Sequence, residues 1–417
     1  MKLLKIAVTI VILAALLVSF VFAAWYYRPW SEYSPSKMAV LDDASQIARS
    51  FRNMGQIIPY KLVRAGDSTS EFIEAIDEPL IDESLELSFS YQGEDRSIKQ
   101  FLNESGTTGI LVLHKGVLVH EQYLNGGARE SLFTSWSVAK SFVATAIVMA
   151  QKEGLIASLD DKVALYAPQY SGSAYGDTSI KSLLAMSSGI DFIEEYAADD
   201  SDIRPFFFDS FILGKNPDGL LTKFKRNRDE FSDFHYISSN SHVLSSVLSG
   251  VYKKPLADII SEKIWQPLGM EANATWLQHR NDDKGVALGY CCLNARLRDY
   301  ARFGQFYLDA SKGRGKGVDS LPSNWPQSLL KPATPAHAAG GDNYSGRGYS
   351  YHFWLPVHEK HVFLAVGIYG QFIWIDPKRE IVIVKTSADN GFATRFNETE
   401  AALTAIASYY SRLDVAK

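Results

Sequence analysis

The chain has 417 residues, 46% hydrophobic and 21% charged, which suits a packed core and excludes a disordered or collagen-like chain. Forty-two Lys and Arg against 47 Asp and Glu leave a formal charge of −5, without the basic excess of a nucleic-acid binder. No nucleic-acid partner is therefore expected.

Lys2 and Lys5 precede an uncharged run from Ile6 to Ala24, which Trp25, Tyr26 and Tyr27 close. Such a run can cross a bilayer as a helix, and the aromatic cluster suits the interface. The two lysines favour leaving the amino end in the cytoplasm and exporting the rest. One reading is a retained anchor in the inner membrane, with the body facing the periplasm or exterior. The other is a signal peptide cleaved near Val21-Phe22-Ala23, which would leave the body periplasmic or secreted. The apolar core of a signal peptide spans about 7–15 residues, so the length favours the anchor. The expected organisation is residues 1–27 as anchor or signal segment, 28–97 as linker and amino-terminal extension, and 98–417 as the functional domain.

Thr108 to Leu124 reads as two β-branched runs around His114-Lys115-Gly116, a hairpin. From Ser137 the apolar positions take helical spacing, with Val138, Phe142, Ala146 and Ala150 on one stripe and Gly154 ending it. Residues 155–330 mix helices and loops. The basic run from Lys223 to Arg228 leads at once into Asp229 and Glu230 and reads as a solvated loop. Cys291 and Cys292 are the only cysteines. Neighbouring Cα atoms stand about 3.8 Å apart, below the usual disulfide range, so they read as two small, half-buried thiols, with a strained redox pair as the alternative. His358 and His361 sit in a polar loop entering a strand. Strands are expected at 349–354, 362–367, 371–375 and 381–384, and a last amphipathic helix at 398–413. Strands, a helix-rich middle, strands and a final helix make an α/β domain with a helical insertion.

The chemistry emerges by elimination. The chain lacks a Gly-x-Ser-x-Gly elbow, a His-Glu-x-x-His helix, a Walker loop and a Gly-x-Gly-x-x-Gly turn. It has three Ser-x-x-Lys matches. Those at Ser34 and Ser328 lie among prolines, whereas Ser137-Val-Ala-Lys140 opens a long apolar helix. There i and i+3 share a face, so the Lys140 amine can reach the Ser137 hydroxyl, and burial would lower its pKa toward that of a usable base. An ordinary N-cap serine with a snorkelling lysine fits the same four residues. Two further stations tilt the balance: Tyr236-Ile-Ser238 just ahead of a helix, and Gly367-Ile-Tyr-Gly-Gln371 beside a strand, where a backbone N–H could meet an oxyanion.

With these stations in order, the chain resembles the penicillin-recognising serine hydrolases. The branch is that of class C β-lactamases, DD-peptidases and β-lactamase-fold esterases, nearest to the 6-aminohexanoate-dimer hydrolases. The likeness rests on Thr134-Ser-Trp-Ser-Val-Ala-Lys-Ser141, Ser182-Leu-Leu-Ala-Met-Ser-Ser-Gly189, Glu194-Glu-Tyr-Ala197, Ile264-Trp-Gln-Pro-Leu-Gly-Met270, Cys291-Cys-Leu-Asn-Ala295, Asp299-Tyr-Ala-Arg-Phe-Gly304 and Gly367-Ile-Tyr-Gly-Gln371. It implies a central antiparallel sheet flanked by helices. It implies Ser137 as nucleophile, Lys140 as general base and Tyr236 as the group that protonates the leaving atom. The backbone N–H groups of Ser137 and Ile368 would form the oxyanion hole, and Tyr196, Ser238, Gly367 and Tyr369 would contact substrate. Small esters or short amides are the substrates implied, with no cofactor and no metal. An envelope receptor, or a DD-peptidase or β-lactamase, is the alternative. Class C enzymes carry Tyr-x-Asn and Lys-Thr-Gly where this chain has Tyr236-Ile-Ser238 and Gly367-Ile-Tyr-Gly370. That departure removes a lysine suited to a substrate carboxylate. Lys385-Thr386-Ser387 mimics the missing motif beyond the next expected strand and reads as incidental.

Overall fold

The computed structural model describes residues 2–28, 30, 34–41, 43–75, 87–196, 198–338 and 346–414. Among them the strands in chain order are β1 (Tyr60–Val63), β2 (Ile73–Glu74), β3 (Ser88–Tyr91), β4 (Glu94–Ser97), β5 (Thr107–His114), β6 (Val117–Tyr123) and β7 (Phe133–Thr134). They continue with β8 (Ala274–Leu277), β9 (Leu293–Ala295), β10 (Gly348–Ser350), β11 (Phe353–Leu355), β12 (Phe363–Gly367), β13 (Gln371–Asp376) and β14 (Ile381–Ser387).

The central sheet has eight strands in the order β10-β11-β12-β13-β14-β5-β6-β2. Every pairing in it is antiparallel except β2 with β6. The β5–β6 hairpin turns at Lys115 and Gly116, both at positive φ, which matches the right-handed twist of the flanking strands. Both sheet faces are covered, so its strands read as continuous apolar runs that alternate between two cores. Leu111, Leu113, Val382, Val384, Ala365 and Ile373 face one core, while Ile110, Val112, Ile381, Ile383, Leu364 and Trp374 face the other. The carboxy-terminal helix Phe392–Tyr410 closes the second core through Phe396, Leu403, Ile406 and Tyr410. On the first face lies the helix Leu297–Ser311, brought close by Gly304: a Cβ there would sit 2.5 Å from Val382 Cγ1.

A small four-stranded sheet, β1-β8-β9-β7, borders the central one. The amino-terminal extension is woven into the body: β1 pairs with β8, and Ile47, Phe51, Met54 and Ile58 are buried in the first core. The helix Lys2–Tyr27 is different in kind. From Leu4 to Tyr27 it is long and apolar enough to cross a membrane, and its apolar side chains are exposed.

Four expectations need correction. Residues 349–354 form no single strand: β10 and β11 make a tight hairpin, with Tyr351 and His352 in the left-handed region. β14 runs through Ser387, so Lys385-Thr386-Ser387 lies within a strand rather than beyond one. The last helix begins at Phe392, six residues before Glu398, because Phe392 and Phe396 have the sheet's Phe372 to pack on. The helix expected from Ser137 is present as Ala139–Lys152, but instead of one apolar stripe it is buried on every side from Ala139 to Ala150.

Candidate active site

Ser137 sits in a 3₁₀ turn, Trp136–Val138, that leads directly into the buried helix Ala139–Lys152. β7 delivers the chain to this turn by pairing with β9. Ser135 secures the junction: its N–H donates to the Leu293 carbonyl at 2.7 Å, and its Oγ accepts from the Leu293 N–H at 3.1 Å. Trp136 is held at φ +43°, an unfavourable conformation for a residue with a Cβ. It is over-determined by its ring, which packs against Phe51 and Tyr369 at centroid distances of 5.2 and 5.4 Å.

One turn further on, Lys140 is buried, and its Nζ donates to Ser137 Oγ at 2.7 Å and to the Tyr290 carbonyl at 3.0 Å. The rings of Tyr236 and Tyr290 lie 5.0 and 5.7 Å from the same nitrogen. Burial drives the Lys140 pKa down to about 7, with the negative charge of Glu194 working in the opposite direction. An amine so placed can be neutral near neutral pH and can take a proton from Ser137.

Glu194 is the residue sequence reasoning passed over. It accepts from the Ser238 N–H at 2.8 Å and from the Ser238 hydroxyl at 2.5 Å, and Tyr196 Oη donates to it at 3.3 Å. Burial raises its pKa, while Lys140 and the Ser238 donors lower it. Its signal was present in the Glu194-Glu-Tyr-Ala197 motif, whose last residue, Ala197, is outside the described residues. Ser238, expected to touch substrate, is fully buried, and its hydroxyl is committed to Glu194, so it stands behind the site wall. Tyr236 lies two residues ahead of the helix Ser238–Tyr252, wedged beside Tyr349 and Trp354 with its ring against Lys140.

The opposite wall comes from the end of β12. A Cβ on Gly367 would fall 2.5 Å from the Ser135 carbonyl oxygen and 3.1 Å from the Ser137 amide nitrogen, so only glycine lets this strand press against the nucleophile turn. Ile368 follows and faces the same cleft as Ser137. The turn onto β13 is braced from behind. Ser387 Oγ and the Asp389 N–H donate to the Tyr369 carbonyl, and Gln371 Nε2 donates to the carbonyls of Ile368 and Ser387. Lys385, buried and with its pKa lowered by that burial, donates to Ser387 Oγ at 3.0 Å instead of reaching the cleft.

Cys291 and Cys292 are joined by a disulfide, where two half-buried thiols were expected. The bond closes no loop, so it staples nothing at long range. It spans a turn with Cys292 at φ +77° next to Tyr290, whose carbonyl holds Lys140. The Tyr290 hydroxyl is buried with no hydrogen-bond partner among the described residues. These walls enclose a cleft of about 890 Å³ in which Ser137, Tyr196, Tyr290, Cys291, Ile368 and Tyr369 meet. That volume lies within the range of pockets for small organic ligands. Ser137, Lys140 and Tyr236 are thus brought together, with Ile368, Tyr369 and Tyr196 on the cleft and Gly367 and Ser238 behind it.

Residues 95–407 match the protein family described as Beta-lactamase. A 6-aminohexanoate-dimer hydrolase of Paenarthrobacter ureafaciens is 26% identical over 300 residues, which are 70% of this chain and 75% of the relative. A solved Bacillus anthracis structure, provisionally described as a 6-aminohexanoate-dimer hydrolase, superposes with a TM-score of 0.74 at 24% identity. The match covers 88% of this chain and 95% of that one. A class C β-lactamase structure shares the fold at 15% identity, with a TM-score of 0.52 over 77% of this chain and 95% of its own.

Proposed function

The chain belongs to the beta-lactamase family, a hydrolase of that fold, and from this we propose that it is an exported, membrane-anchored serine hydrolase that cleaves small esters or short amides through an acyl-serine intermediate. The observation that carries the reading is the contact between a desolvated Lys140 amine and Ser137 Oγ at 2.7 Å.

Neutral Lys140 takes the hydroxyl proton as Ser137 Oγ attacks the substrate carbonyl. The oxyanion that forms is met by the backbone N–H groups of Ser137 and Ile368. The proton then passes, with Tyr236 assisting, to the departing alkoxide or amine. Water, deprotonated by neutral Lys140, attacks the acyl-serine carbonyl, and the acid leaves as Lys140 returns the proton to Ser137 Oγ. Glu194 shares in holding the Lys140 charge during both halves. Amide cleavage is favoured by the likeness to the 6-aminohexanoate-dimer hydrolase, whose name gives a dimer of an amino acid as its substrate. The chemistry draws on side chains and backbone alone.

The test uses the full chain in detergent with p-nitrophenyl butyrate and a short linear amide, beside Ser137→Ala. We expect turnover by the parent and a loss of about a thousandfold or more in the variant, with a transient acyl mass on the parent only. A folded parent that neither turns over nor labels with an active-serine phosphonate would replace this reading with the receptor.

A further inference from the structure

The cleft does not open at an arbitrary place on the body. Arg28, the residue that follows the apolar helix Lys2–Tyr27, donates from Nη1 to the carbonyl of Ile212 at 3.2 Å, and Ile212 lines the cleft. The Ser34 hydroxyl lies 2.8 Å from the Tyr27 carbonyl and 3.0 Å from that of Tyr26, which folds the following segment back against the helix end. That segment then supplies Pro35, Met38 and Ala39 to the cleft wall. The helix end and the cleft rim are therefore tied by hydrogen bonds rather than separated by a slack tether. Trp25, Tyr27 and Trp30 are exposed at this level, which is where amphipathic aromatics mark a membrane interface.

The rim is apolar on the side of the helix Ile203–Phe211 that carries its aromatics, with Asp199, Ser201 and Arg204 as its polar members. The helix Ile203–Phe211 carries Phe207 and Phe208 along the cleft, and Phe208 is 41% exposed. Leu213, just beyond, is 40% exposed. Large apolar side chains left open beside a reactive serine, at the level where a spanning helix leaves the bilayer, have an obvious partner in hydrocarbon.

We infer that the cleft takes long-chain acyl esters or amides directly from the bilayer, the acyl chain lying between Pro35–Ala39 and the helix Ile203–Phe211 with its carbonyl at Ser137. This deepens the acyl-serine reading above and rests on it. In the step, the Ser137 Oγ–acyl carbon bond forms to give the tetrahedral oxyanion, and the acyl–oxygen or acyl–nitrogen bond breaks as that oxyanion collapses. The leaving alcohol or amine carries off the serine proton, and water then releases the fatty acid. The short spacing between anchor and cleft keeps the rim within reach of a substrate that need never leave the membrane.

The experiment reconstitutes the full chain in phosphatidylcholine vesicles and compares kcat/KM for p-nitrophenyl palmitate and p-nitrophenyl butyrate, alongside a Phe208→Asp, Leu213→Asp double variant. Both positions are exposed, so the variant is expected to fold, which phosphonate labelling of Ser137 checks. The expected palmitate-to-butyrate ratio in the parent exceeds ten, and it falls at least fivefold in the variant. A parent ratio of ten or less, or a smaller fall in a variant that labels normally, overturns the inference and leaves the hydrolase intact. Absence of turnover on both esters, with no Ser137 adduct in the parent, overturns the hydrolase reading and this inference with it.

Discussion

Lys140 owes its chemistry to its surroundings. Two tyrosine rings and a backbone carbonyl replace water around its nitrogen, so the neutral amine becomes accessible near pH 7. Activity that needs this neutral form should rise with pH through a limb near 7, measured as kcat/KM against pH. Glu194→Gln removes the carboxylate that favours the ammonium, so the limb should move to lower pH. A purely structural role for Glu194 would lower the rate without moving the limb. Gly367 operates by lacking a side chain. In Gly367→Ala the added Cβ would meet the Ser135 carbonyl at 2.5 Å and push β12 away from the nucleophile turn. We expect about a hundredfold loss of kcat with about 1–3 kcal/mol of destabilisation, read from steady-state kinetics and urea unfolding.

At the scale of elements, strand pairing brings together three of the stretches that build the site. β7 and β9 pair, which sets the Ser137 turn against the Tyr290–Cys292 turn. β12 and β13 carry the Ile368–Gly370 turn, and β14 braces it through Ser387. Helix Leu297–Ser311 packs across β13 and β14 at the distance Gly304 permits. Gly304→Ala should cost about 1–3 kcal/mol because Val382 and Ile373 must shift. A urea midpoint at unchanged slope would report it. The limb near pH 7 should stay in place, because nothing around Lys140 changes.

For the whole molecule, one buried carboxylate in the helical region, Asp218, ties stability to pH in acid. Asp218 joins the helix Ser238–Tyr252 to its neighbours: His242 Nε2 lies 3.0 Å away, and Ser246 and Tyr170 donate to it at 2.6 and 2.8 Å. Burial alone would raise its pKa, but these partners bring it down to about 2. The folded value lies below the unfolded one, so the stabilisation is complete above about pH 4 and is lost as pH falls toward 2. Asp218→Asn should remove about 2 kcal/mol at neutral pH and flatten that acid limb, read from unfolding curves at stepped pH.

Much of this protein could be read from the chain alone, because the relevant physics is local. An uncharged apolar run declares a helix long enough to cross a membrane, β-branched alternation around Lys115-Gly116 declares a hairpin, and Ser137 and Lys140 share a helix face whatever surrounds them. The ordered stations at Ser137, Tyr236 and Gly367 carried the family resemblance, and with it the sheet-and-helix architecture. Contacts between distant stretches were another matter. That Glu194 answers the Lys140 charge, that Ser238 turns its hydroxyl to Glu194, and that the Tyr290 carbonyl holds the amine all depend on stretches tens to over a hundred residues apart. The Cys291–Cys292 bond and the hairpin at Tyr351-His352 escaped prediction because each relies on left-handed backbone at a residue with a Cβ, which only surrounding packing can sustain. The nearness of the cleft to the helix end was decided in the same way, by Arg28 finding the Ile212 carbonyl across a fold whose closure no local pattern encodes.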